Sequence, residues 1–125
     1  MAHEQWHRDR RAEAYIELLD LAEEIGLFVG TVYPMFESGS PEPPPSIPSL
    51  DRQTHMWARV AAYASPEVRR KATTWRIVVV HALRAAEAIA RGEDGARAEL
   101  HDLRSAEGEA RESMSQAIND DLGTQ

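Results

Sequence analysis

Two histidines and a glutamate near the start of the chain have the spacing of a zinc-protease motif. The segment His3-Glu4-Gln5-Trp6-His7 fits the pattern H-E-x-x-H, in which two histidines one helical turn apart bind Zn²⁺ and the glutamate activates the bound water. A third ligand is missing, because Glu23 and Glu24 lie about four to five turns further along the same expected helix. The sequence therefore favours adventitious metal binding at this end over a protease active site.

Three further histidines offer a second possible metal site. His55, His81 and His101 fall on three different expected helices, and they could bind a single metal ion if those helices brought them together. None of the three has a glutamate three residues before it, so the Glu-x-x-His pairs of di-iron bundles are not formed by them. We expect all three to be exposed or half-buried structural histidines.

Other catalytic chemistries lack the residues they need. The chain has no cysteine, which removes thiol nucleophiles, disulfides and iron–sulfur clusters. It also has no G-x-S-x-G, no glycine-rich phosphate loop and no G-x-G-x-x-G, the patterns of hydrolases and nucleotide-binding proteins. We therefore predict that the protein is not an enzyme and that it has no catalytic, cofactor-binding or metal-binding residues.

Charge and hydropathy limit the possible partners. The chain carries 14 basic and 21 acidic residues and a net charge of −7, which argues against nucleic-acid binding because that requires a basic surface. The longest strongly apolar run, Ile77–Val80, is far shorter than the ~20 residues of a membrane span. The first residues lack the apolar core of a signal peptide. We expect a cytoplasmic protein whose acidic surface suits a partner with a basic patch.

The elements that must position these residues are helices. Apolar residues recur at three- and four-residue steps through most of the chain, a pattern that predicts an all-α fold. We expect a single domain over residues 1–125, an elongated bundle of three to four helices. The expected elements are helix A at about 4–36, a proline-rich linker at 37–49, helix B at about 50–64, helix C at about 66–91 and helix D at about 94–122.

Helix A has a continuous apolar face and three residues that weaken helical structure. Its face consists of Tyr15, Leu18, Leu19, Ala22, Ile25, Val29, Val32 and Phe36. Pro34 is expected to shorten the helix, because proline removes a backbone donor and clashes with the preceding turn. Gly26 and Gly30 cost about 1 kcal/mol each relative to alanine, and their spacing would let another backbone approach closely.

The linker contains five of the seven prolines and favours an extended polyproline conformation. Its 13 residues would span roughly 40 Å, about the length of a 27-residue helix. We therefore expect the linker to act as a crossover between the two ends of the bundle. Helix B could then run parallel to helix A.

Caps and apolar faces define the second half of the chain. Ser49 and Ser65 are expected N-caps, and Pro66 suits the first position of a helix. The expected apolar face of helix B is Leu50, Thr54, Trp57, Val60 or Ala61, and Ala64. Helix D carries a heptad-like seam, interrupted by Glu107, that is typical of a coiled coil. The seam residues are Ala96, Leu100, Leu103, Ala110, Met114 and Ala117.

Helix C has more apolar residues than one buried face requires. Its expected inner face is Trp75, Val78, Val79, Ala82, Leu83, Ala86 and Ile89. Ile77 and Val80 project on the other side, among charged residues. Because these two side chains need another cover, either the linker or a second subunit, we predict that Ile77 and Val80 form part of an interaction surface.

Two segments resemble those of small uncharacterised helical proteins of high-GC, actinobacterial-type bacteria. The first is Arg10-Arg11-Ala12-Glu13-Ala14-Tyr15-Ile16-Glu17-Leu18-Leu19, and the second is Ala58-Arg59-Val60-Ala61-Ala62-Tyr63-Ala64-Ser65-Pro66-Glu67-Val68. The resemblance implies a helical bundle in a bacterial cytoplasm. It implies nothing about sites, because that group has no established activity.

Together these features predict a non-enzymatic protein-interaction or oligomerisation module whose partner is another protein or a second copy of the chain. Two alternatives remain open. One is a metal- or small-molecule-binding bundle, which requires His55, His81 and His101 to converge. The other is an acidic inhibitor or antitoxin-like protein that covers a basic partner with its negative surface.

Overall fold

The computed structural model describes residues 2–38 and 46–123, with the side chains of residues 2–31 and 46–123. The described chain forms four helices: α1 (Ala2–Ser38), α2 (Leu50–Tyr63), α3 (Pro66–Ala90) and α4 (Ala96–Gly123). No strand occurs within these ranges, and the predicted all-α class is confirmed. No helix in the described part of the chain combines the length and the hydropathy needed to cross a membrane.

The ends of the helices follow from capping residues. The hydroxyl oxygens of Ser49 and Ser65 accept hydrogen bonds from backbone N–H groups three residues further on, in the first turns of α2 and α3, as N-cap residues do. In contrast, the expected shortening of the first helix is wrong, because α1 continues through Pro34 to Ser38. Proline removes one backbone donor and crowds the preceding turn, but the turns on either side of Pro34 remain helical.

Ion pairs fix the direction of α2 relative to α1. Arg59, near the end of α2, pairs with Glu13 and Glu17 in the first half of α1, whereas Arg52, near the start of α2, pairs with Glu24. The two helices therefore run antiparallel, and the parallel arrangement that the linker's length would allow is not formed. Linker length sets only an upper limit to the distance between two helix ends, so it could not determine direction. The linker's residues 39–45 lie outside the described ranges.

The other helices continue this alternation. A short turn after α3 places Gly92 and Gly95 at φ values of 76° and 82°, which glycine adopts without steric cost. The chain then reverses into α4, which also runs antiparallel to α1. At one end the Tyr15 hydroxyl bonds to Asp121, and at the other the Arg104 guanidinium donates to the Gly30 carbonyl oxygen.

The space between the helices is filled by one apolar core. Its largest fully buried side chains include Tyr15, Leu18, Leu21, Ile25, Met56, Trp75, Leu100, Met114 and Ile118. The seam of helix D lies within this core, with Leu100 and Met114 fully buried. That seam therefore packs against helices of its own chain. Val32 and Phe36, expected at the end of the first apolar face, lie outside the described side chains.

The predicted face of helix B is wrong in its first half. Met56 is fully buried, while Leu50 is 77% exposed and Thr54 is exposed as well. Arg52 and Arg59 are seven residues apart and both bind acidic residues of α1, a placement that accompanies the burial of Met56 and Val60. Met56 lies between them on the same side of the helix and is turned into the core.

Candidate interaction surface

The outward face of α3 presents a row of residues at alternating three- and four-residue steps. This row, which we call the α3 stripe, consists of Arg70, Thr73, Ile77, Val80, Arg84 and Glu87, and all six are exposed. Its centre is aliphatic, because Ile77 is 55% and Val80 is 38% exposed. The structure thus leaves accessible the two residues that the sequence assigns to an interaction surface.

Buried groups on the opposite side of α3 hold the α3 stripe outward. Trp75 is fully buried, and its indole Nε1–H donates a 2.8 Å hydrogen bond to a carboxylate oxygen of Glu107 on α4. The Trp57 ring of α2 lies on the same indole, with 6.2 Å between ring centres. Because both the tryptophan ring and its N–H group have fixed partners, α3 cannot rotate Ile77 inward without exposing Trp75.

The charged ends of the α3 stripe differ in their local partners. The Arg70 guanidinium binds both carboxylate oxygens of Glu67, one turn earlier, at 2.7 and 2.9 Å. This contact lowers the pKa of Glu67 below its ordinary value. At the other end, the Glu87 carboxylate makes no hydrogen bond or ion pair with any described residue. The α3 stripe therefore has a guanidinium paired with Glu67 at its start and, among the described residues, an unpaired carboxylate at its end.

A buried polar cluster joins α1, α3 and α4. Glu107 is only 2% exposed, yet its Oε2 atom is 2.8 Å from Trp75 Nε1 and 3.1 Å from Arg111 Nε. The Arg111 guanidinium lies directly on Gly26 of α1, where a Cβ atom would be 2.5 Å from its Cζ atom. The close neighbour of Gly26 is thus a side chain and not the backbone that the glycine spacing would admit, and a Cβ atom at Gly30 would meet nothing within 4 Å. Since the carboxylate has partners, it is a structural group.

The burial of Glu107 departs from the sequence prediction, in which this residue only interrupts an apolar seam. The signal was its position, since a charged residue at a core position of a heptad pattern is buried unless the helix bends away. What the sequence could not give is the identity of its partners. Trp75 and Arg111 are brought to it only by the packing of α3 on α4 and by the helical turn.

A second polar joint lies where α2 meets α3. The Tyr15 side chain is fully buried, its hydroxyl donates to Asp121 Oδ2 at 2.5 Å, and it accepts the Ser65 backbone N–H at 3.0 Å. Burial, followed by the hydrogen bond to Asp121, raises the pKa of Tyr15 above its ordinary value. Arg11 donates from Nε to the Tyr63 carbonyl oxygen at 2.8 Å. These contacts hold the chain reversal between α2 and α3 against α1 and α4.

The histidines do not form a metal site among the described residues. His3 and His7 lie one turn apart on α1 with 5.7 Å between ring centres, and the His7 ring packs edge-on against Tyr63. No group of three His, Asp or Glu side chains in the described ranges is placed to hold a metal ion. His55, His81 and His101 are all exposed and do not converge as the metal-binding alternative requires.

An open acidic groove of about 760 Å³ runs between the start of α3 and the end of α4. Five carboxylate-bearing residues line it, with Lys71 as a basic neighbour. They are Glu67, Glu109, Glu112, Asp120 and Asp121. Part of the chain's negative charge is therefore concentrated in this groove.

The fold and its surface define the class of protein: an all-α bundle with an exposed, partly aliphatic helix face. Comparison of the chain with protein-family models, with curated proteins and with solved structures found no match. Functional inference therefore starts from the packing and the surface chemistry of the described residues.

Proposed function

We propose that the protein is a non-enzymatic interaction module that associates with itself through the α3 stripe. The proposal rests on one observation: Ile77 and Val80 lie exposed one turn apart on a helix whose opposite face already fills the core. Aliphatic residues at successive positions of such a row pack well against an equivalent row on another helix. The resemblance of two segments to those of small helical proteins of high-GC bacteria supports a bacterial cytoplasmic setting for this module.

Another pair of exposed aliphatic side chains is less suited to an interface. Ile16 and Leu27 of α1 are 60% and 61% exposed, but they are separated by about 16 Å along the helix. Asp20 and Glu23, both exposed, lie between them on the same side of α1. Burying this row would desolvate two carboxylates. The α1 pair therefore serves as a matched control for the α3 stripe.

The expected association is weak. Complete burial of an aliphatic side chain contributes about 1.5–3 kcal/mol. Ile77 and Val80 are already partly covered, so each adds roughly 1 kcal/mol when a dimer forms. Four such side chains supply about 4 kcal/mol before the cost of association is subtracted, so their burial alone does not reach millimolar affinity. Polar contacts along the α3 stripe must add to this, and experiments need protein concentrations up to about 1 mM.

A dilution series followed by NMR tests this proposal. Backbone amide signals are recorded from about 1 mM down to about 20 μM, a range that brackets weak association. Concentration-dependent shifts are expected at Thr73, Ile77 and Val80 and not at the control positions Ile16 and Leu27. Signals that stay constant throughout the range, or that shift on α1 and not on α3, would overturn the proposal.

The acidic groove favours one alternative, an inhibitor or antitoxin-like protein that covers a basic partner. Carboxylates concentrated in one groove attract cationic surfaces and accelerate their binding. In this case the chain alone stays monomeric, its amide signals do not change on dilution, and a lysine-rich peptide shifts the signals of Glu112 and Asp120. High salt should then abolish the peptide effect.

A further inference from the structure

The α3 stripe is complementary to itself when a second copy lies antiparallel to it. We propose that the occupant of this surface is a second copy of the chain, with the two α3 helices antiparallel and Ile77 opposite the partner's Val80. This inference rests on the proposed self-association and adds its partner, direction and register.

The spacing of the α3 stripe sets the register. In an antiparallel pair whose two-fold axis passes between positions 78 and 79, the three-residue steps of one α3 stripe lie opposite the three-residue steps of the other. The facing residues are then Ile77 with the partner's Val80, Thr73 with the partner's Arg84, and Arg70 with the partner's Glu87. The aliphatic residues meet at the axis, and the charged residues lie at both ends, the arrangement found in helix pairs with polar flanks.

Charge complementarity selects this arrangement over the others. In the antiparallel pair, Arg70, which already binds Glu67 of its own chain, also meets the partner's Glu87. Glu87 thereby gains an ion-pair partner that no described residue of its own chain supplies. A parallel pair would place Arg70 beside the partner's Arg70 and Glu87 beside the partner's Glu87. Like charges at facing positions repel, so the parallel direction is disfavoured.

Charge complementarity also disfavours a symmetric pair formed through α1. In an antiparallel α1 pair, Ile16 would lie opposite the partner's Leu27, as the aliphatic residues require. Asp20 would then face the partner's Glu23, twice by symmetry. Of these two rows, that of α3 keeps opposite charges together in a symmetric pair, and that of α1 does not.

Charge-reversed variants test the register. Arg70→Glu places two carboxylates opposite each other, and Glu87→Arg places two guanidinium groups opposite each other, so each variant should self-associate on the order of tenfold more weakly than the wild type.

An equimolar mixture of the two variants should regain association. In the mixed pair the introduced glutamate of one chain faces the introduced arginine of the other, and the unchanged Arg70 faces the unchanged Glu87. The double variant Arg70→Glu/Glu87→Arg should also associate like the wild type. Sedimentation equilibrium at about 1 mM compares the fraction of dimer in the wild type, the variants and the mixture.

Overall charge provides an internal control. Glu87→Arg reduces the net negative charge of a chain at −7, so a non-specific charge effect would strengthen its association, whereas the proposed register predicts weakening. Wild-type affinity in both single variants, or a mixture no tighter than either alone, would overturn the antiparallel register while leaving self-association through α3 intact. A wild-type chain that is monomeric at every concentration would overturn the proposed function and this inference together.

Discussion

Tyr15 connects three parts of the bundle through one hydroxyl group. It lies on α1, donates to Asp121 near the end of α4, and accepts the backbone N–H of Ser65 between α2 and α3. A buried hydroxyl with both a donor and an acceptor partner is costly to remove, because the partners lose their hydrogen bonds as well. Tyr15→Phe should therefore lower the free energy of unfolding, measured by urea titration, by about 1–3 kcal/mol.

The pKa of Tyr15 also predicts a loss of stability at alkaline pH. Because burial and Asp121 raise this pKa above 10.0, the unfolded chain releases the phenolic proton first as the pH increases. The stabilising contribution is complete below about pH 10 and is lost as the pH rises through the folded-state pKa. Chemical unfolding between about pH 8 and 11 should show this decline in the wild type and in Tyr63→Phe, but a smaller decline in Tyr15→Phe. Equal slopes in all three would contradict the assignment.

Glu107 should matter through its burial. Glu107→Ala leaves the Trp75 N–H group without an acceptor and removes the carboxylate from Arg111, so the free energy of unfolding should fall by about 2–4 kcal/mol. Glu107→Gln keeps an oxygen for the Trp75 N–H group and should cost about half as much. Urea unfolding of both variants gives the comparison. Glu109→Ala, at an exposed position on the same helix, is the control and should change stability little.

Two glycines of α1 should respond to alanine in different ways. At Gly30 an added Cβ atom meets nothing within 4 Å, so Gly30→Ala should stabilise the protein by about 0.5–1 kcal/mol through helix propensity. At Gly26 it would displace the Arg111 guanidinium and disturb the ion pair with Glu107, which cancels or reverses that gain. Thermal unfolding distinguishes the two, and equal stabilisation by both changes would contradict the packing of Arg111 on Gly26.

At the scale of the elements, helix type was predictable and helix orientation was not. Apolar periodicity and the serine caps at Ser49 and Ser65 depend on local sequence, so they can be recognised without tertiary information. The rotation of α2 buries Met56 and Val60 and places Arg52 and Arg59 beside acidic residues of α1. Local helix propensity is the same for every rotation of α2 about its axis, so only such long-range contacts distinguish the rotations. This explains why the prediction that Leu50 faces the core is wrong.

The candidate interaction surface could be located only in part from the sequence. The excess of apolar residues on helix C indicated Ile77 and Val80, because a single buried face accounts for the other apolar positions of that helix. The sequence alone did not exclude the seam of helix D as a second interface. Its burial became clear only from the packing of Leu100 and Met114 within the core.

In the molecule as a whole, the buried polar contacts fix how the helices meet, whereas the exposed surface is available for association. Glu107 and Tyr15 use their polar atoms inside the bundle and fix how the helices meet. The acidic groove and the α3 stripe lie on the outside. A surface that combines net negative charge with the short aliphatic centre of the α3 stripe suits weak, reversible association, because charge repulsion opposes contact between the acidic faces.

The most direct test of self-association through α3 is the sedimentation equilibrium of three proteins at concentrations up to about 1 mM. The wild type should show concentration-dependent dimers. Ile77→Glu/Val80→Glu should remain a folded monomer, with an unchanged helical circular dichroism spectrum, whereas the control Ile16→Glu/Leu27→Glu should dimerise like the wild type. An α3 variant that dimerises as well as the wild type would contradict the account.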